Sequence, residues 1–113
     1  MGSNYLTSDE LHLVGRCLEA AVDGPFFPDW EFHTLFGVTR DEARAVAAAW
    51  PAVEESQAVV VVTVDNSLAN LLGYPHGEAA AWDRVVGTTR QQVERVFLKW
   101  RAGTARNGFS RLE

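Results

Sequence analysis

The chain carries a single cysteine, Cys17, in 113 residues, which excludes an internal disulfide and argues against a secreted fold held by staples. A reducing cytoplasmic setting is the expectation. Long hydrophobic runs are also missing. No stretch approaches the length needed to cross a bilayer, and the first residues lack a basic segment followed by an apolar one, so neither a membrane anchor nor an export signal is expected. Positive charge is scarce in the first half: residues 1–53 hold three Arg against eight Asp and Glu, whereas 54–113 hold seven Lys and Arg against seven acids. The net charge of -5 disfavours nonspecific binding to nucleic acid or anionic membranes, while leaving room for a local basic face in the second half. The sequence has no Gly-rich phosphate loop, no cofactor fingerprint and no pair among His12, His33 and His76 at metal-ligand spacing. No cofactor and no metal are expected.

What is present is a globular composition, 47% apolar with four Trp and six Phe, in a length that suits one core. The chain also repeats itself. LFGVTRDEARAVAAAW, from Leu35, aligns with VVGTTRQQVERVFLKW, from Val85, and Gly37/Gly87, Thr39/Thr89, Arg40/Arg90, Val46/Val96 and Trp50/Trp100 are identical at an offset of 50 residues. Carried upstream without a gap, the offset adds Pro25/Pro75, Leu18/Leu68 and Val14/Val64. That makes eight identities across residues 6–50, against roughly three expected from ordinary composition. Two related three-helix units, 6–50 and 56–100, within one domain are the expectation.

Helix signals fill both units. Thr7 with Glu10 and Thr39 with Glu42 make capping boxes, and Leu11, Val14, Leu18 and Val22 recur at helical spacing. The spacing predicts helices over 8–23, from Pro28 to Gly37, and over 40–50, where Pro51 ends the run. In AVVVVTVDNSLANLLG the first half is written in strand residues. The offset, however, lays 59–72 over the first helix, and Val60, Val64, Leu68 and Leu72 keep a spacing of four, so a buried central helix is expected. The competing reading makes 59–64 a strand, which would need a partner across a dimer. Further helices are predicted over 77–86 and 90–101, followed by a flexible tail over 103–113. The fold class expected is all-α, with about six helices, anchored by Trp50 and Trp100.

Three readings of function follow, from different classes. GPFFPDWEF, beginning at Gly24, packs four aromatics and two prolines into nine residues. Adjacent Phe26 and Phe27 are expected not to point both into one core, so that one of them faces water and with Trp30 forms a candidate surface for a protein partner or for self-association as a homodimer, the rest of the cluster stapling the loop onto the core. A noncatalytic interaction or regulatory module is the first reading. The second comes from the turns. Ala43 and Val46 after Gly37, and Val93 and Val96 after Gly87, stand six and nine residues beyond a turn glycine, so 28–50 and 78–100 resemble a helix-turn-helix, with His33 and Asp83 where that motif usually has a small residue. The resemblance implies a DNA-binding regulator reading with Arg90, Gln91, Arg95 and Lys99 on the last helix. A catalytic or metal site around His33, with Asp29 four residues earlier, or around His76 is the third.

Overall fold

The computed structural model describes residues 5–74 and 77–106. Six helices fill them: α1 (Ser8–Asp23), α2 (Asp29–Phe36), α3 (Arg40–Ala49), α4 (Ala58–Gly73), α5 (Ala79–Val85) and α6 (Arg90–Arg106). Among the described residues there is no strand. The two sixteen-residue helices, α1 and α4, pack on each other at the centre, with α3 and α6 against both and α2 against α4.

Local chemistry sets most of the ends. The Thr7 hydroxyl accepts from the Glu10 amide at 3.2 Å while the Glu10 carboxylate accepts from the Thr7 amide at 2.8 Å. Thr39 and Glu42 repeat this exchange at 3.1 and 2.8 Å, and Thr89 accepts from Gln92 at the start of α6. Each pairing satisfies amide donors that the first turn leaves open. Gly37 ends α2 at φ 73°, and Gly87 precedes α6 at φ 79°. A side chain at either position would be strained by that left-handed backbone.

Neither α1 nor α4 has a basic residue in its last turn. Instead, arginines from the helices that follow reach back to their final carbonyls. Arg40 donates to the Val22 carbonyl at the end of α1 and, at 3.0 Å, to the Phe27 carbonyl in the loop beyond it. Arg90 donates to those of Leu71 and Leu72. Each guanidinium also lies over a ring, Arg40 at 4.3 Å from the Phe32 centroid and Arg90 at 5.2 Å from that of Trp82. A cation on the negative end of a helix is stabilising, and stacking on an aromatic face adds to it.

The segment 59–64 is helical, not a strand. Val60, Val61, Val64, Leu68 and Leu71 are buried, and Val59 and Val62 pack partly against the core. Burying each valine is worth about 1.5 kcal/mol or more, against a few tenths of a kcal/mol of lost helix propensity. Burial prevails. The sixth helix runs five residues past Arg101, because Gly103 and Thr104 are buried and the Thr104 hydroxyl donates to the Arg101 carbonyl. The expected tail therefore does not begin at 103, and 107–113 lies outside the described residues.

The two tryptophans are not equivalent. Trp100 is fully buried and its indole donates to Asp65 at 2.8 Å, whereas Trp50 is half-buried and donates to the Leu11 carbonyl at 2.9 Å. Their rings meet edge to face with centroids 6.0 Å apart. Trp50 packs closely on α1 at Gly15, where a Cβ would lie 3.2 Å from the Trp50 ring and press it to shift slightly. Burial raises the Asp65 carboxyl above its ordinary range, opposed by the Trp100 hydrogen bond and by Arg101.

Trp100→Ala should lose about 3–5 kcal/mol in urea unfolding, with Trp50→Ala losing less; equal losses would contradict the difference in burial. Asp65→Asn, which stands in for the protonated acid, should match or exceed the parent in stability at neutral pH. Because the folded-state value is raised, the native protein takes up this proton before the unfolded chain does. The advantage of the variant should therefore shrink as pH falls through the raised value and vanish below the ordinary carboxylate value. A difference between the two proteins that stays flat with pH would contradict the raised Asp65.

Candidate functional site

The aromatic segment between α1 and α2 is an interior feature. Phe26 and Phe27 are 2% and 5% exposed, while Trp30 is 80% exposed. The expectation that one of two adjacent phenylalanines must face water is corrected here, for a physical reason. The loop runs under neighbouring elements on both sides, so both directions are walled by protein. Phe26 meets Trp82 edge to face at 6.2 Å, and Phe27 meets Phe36 at 5.0 Å and Tyr74 at 5.4 Å. Of the three candidate partner residues, only Trp30 reaches solvent.

The candidate nucleic-acid set is also divided. Arg90 is held against the end of α4 and over Trp82. Lys99 donates to Glu10 at 2.6 Å, and that contact, with the Thr7 amide, holds the Glu10 carboxyl below its usual range. Arg95 bonds Gln92 within the helix, and it and Gln91 are exposed. Among the described residues, two of the four side chains therefore face water without a partner from another element.

The histidine candidates are dispersed. His33 is exposed, and Asp29, expected to stand beside it, pairs with Arg40 at 2.9 Å. His76 lies outside the described residues. Among the described residues no group of three potential metal ligands comes together. The Cys17 thiol is buried and its pKa is pushed up to about 12 by that burial. It is an inert core thiol at neutral pH.

Two grooves remain. One, of about 380 Å³, lies between α1 and the end of α3, with Trp50 in its wall and Ser8, His12, Arg16 and Glu19 along it. Arg16 is already tied to the Val86 carbonyl at 3.0 Å. The other, of about 450 Å³, opens between α3, the connection after it and the start of α4. Exposed Ala45 and Ala49 of α3, exposed Ala52 and half-buried Val53 of the connection and half-buried Val59 of α4 line it, with buried Val46 and Val60. Glu42 and Glu54 stand on its rim. Both are exposed, and Glu54 makes no ion pair among the described residues.

The second groove went unread in the sequence. AVAAAW in α3 looks like simple helix propensity, and its outward alanines become a wall only once α4 lies beside them. The available signal was the pair Ala45 and Ala49, four residues apart on α3 beside the core residue Val46. No protein-family model, no curated protein and no solved structure matches the chain.

Phe27→Ala should lower stability by about 3–5 kcal/mol, whereas Trp30→Ala should stay within about 0.5 kcal/mol of the parent, both read by urea unfolding. A destabilising Trp30 change, or a silent Phe27 change, would contradict this assignment of inside and outside.

Proposed function

We propose that the protein is a noncatalytic interaction or regulatory module that docks a partner in the groove between α3 and α4. The observation that carries this reading is the groove itself: an apolar wall of small side chains, open to solvent, with two carboxylates on its rim. Such a surface offers burial of an apolar anchor and charge pairing at the edge, which is the anatomy of a protein–protein contact. Its lining places no acid–base pair on a reacting atom. A cytoplasmic setting is part of the proposal, supported by the single buried thiol.

The scaffold is proposed to be two related three-helix units. Equivalences at the 50-residue offset support this. Thr39 and Thr89 both cap helices, Gly37 and Gly87 share left-handed backbone, and Arg40 and Arg90 both cap the helix behind them while covering Phe32 and Trp82. If the units are related, the α3 and α6 surfaces are homologous faces of one module that have diverged in charge.

The reading of α5 and α6 as a helix-turn-helix that binds DNA is the alternative. Exposed Gln91 and Arg95 support it, but Arg90 and Lys99 already have partners within the chain, so the salt-dependent affinity they would supply is reduced.

A photo-crosslinking residue placed at position 49, in the groove, tests the main reading in cells against the same residue at position 19, on the other groove. Adducts at 49 that vanish when Glu54, which has no capping role, is changed to Lys support it. Absence of adducts at 49 above those at 19 would overturn it.

A further inference from the structure

We infer that the occupant of the α3/α4 groove is a second copy of this chain, which inserts Leu98 from α6. This rests on the docking role proposed for the groove. Three large apolar side chains are exposed among the described residues: Trp30 at 80%, Leu98 at 63% and Tyr5 at 43%. Charge decides between the two most exposed. Trp30 follows Asp29, which Arg40 already pairs, and precedes Glu31 at the start of α2, so bringing it to a groove rimmed by Glu42 and Glu54 sets the Glu31 carboxylate against carboxylates. Leu98 stands on α6 three residues after Arg95 and three before Arg101, all exposed. Residues three apart on a helix share a face, so an arginine flanks the leucine on either side along the helix axis. Glu94 lies on the same side of the helix and leaves the patch with one net positive charge.

Sizes agree as well. A leucine side chain is far smaller than a groove of about 450 Å³, so Ala102, exposed one turn after Leu98, has room to follow it. The alanine wall lets a second helix approach closely, while the guanidinium groups reach the rim carboxylates. Arg101 also lies over its own Phe97 ring at 5.4 Å, which holds its charge near the leucine.

The contact joins two different patches, α6 of one copy and the α3/α4 groove of the next, and is therefore head to tail. A head-to-tail contact extends into rings or filaments unless the rotation closes it. That geometry supplies a sharp test. Ala49→Arg fills the groove but leaves Leu98 intact, and Leu98→Asp spoils the anchor but leaves the groove intact. Both positions are exposed, and circular dichroism verifies that each variant folds.

Sedimentation velocity across a hundredfold range of concentration should show the parent shifting from 12.5 kDa toward multiples of that mass, less so at high salt. Each variant alone should stay monomeric. An equimolar mixture of the two should form a species of twice the monomer mass and no larger, because only one intact anchor and one intact groove remain. A parent that is monomeric throughout, association unchanged in both variants, or a mixture that stays monomeric would overturn the inference. Adducts to a different protein at position 49, with a monomeric parent, would overturn the self-association while leaving the docking role standing; absence of both would remove the two together.

Discussion

The mutual burial of α1 and α4 is the constraint from which the remaining arrangement follows. Val14 and Leu18 on one helix and Val64 and Leu68 on the other are wholly withdrawn from water. A helix apolar on most of its sides is stable only where other elements wrap it, so α2, α3 and α6 are placed along the flanks of α4. Its valines also make α4 a poor helix in isolation. Its secondary structure is therefore a product of tertiary packing, and losing the flanking helices would remove the reason for it to be helical at all.

The same dependence explains the use of positive charge. Arg40 and Arg90 look, in sequence, like side chains on the exposed start of a helix. In the fold each bonds the last carbonyls of a central helix that has no basic residue of its own there. A guanidinium suits this task because its donors fan out in a plane while its face lies on an aromatic ring. Arginine at the first turn of α6 is thus explained by the end of α4, without appeal to an external ligand.

How much of this was legible depends on whether the deciding interaction was local. The starts of α1 and α3 were readable because a capping box joins residues three apart. The helical state of α4 was readable from spacing, although the reason for it, burial on several sides, is not local. The depth of Phe26 and Phe27 was not readable, because composition places an aromatic cluster along the chain but cannot say that Trp82 and Tyr74 close over it. Likewise Gly103 reads as a helix stop, yet its burial within the fold keeps α6 running. The groove escaped for the same reason: an alanine is a wall or bare solvent depending on what stands opposite, and Val59 is brought there only by the packing of α3 against α4.

Among the hydrogen bonds that tie the first half of the chain to the second, two are reciprocal. Arg16 on α1 donates to the carbonyl of Val86 just beyond α5, and Asn66 on α4 donates to the carbonyl of Phe36 at the end of α2. Each central helix therefore closes the end of a short helix that belongs to the other half. Such an arrangement works like a clasp. Severing the connection between α3 and α4 would leave both pieces gripping one another, whereas separating them would strip each of a contact it cannot make alone. The halves are partners in one cooperative unit and not two beads on a string, so a disturbance at either short helix is shared across the whole molecule.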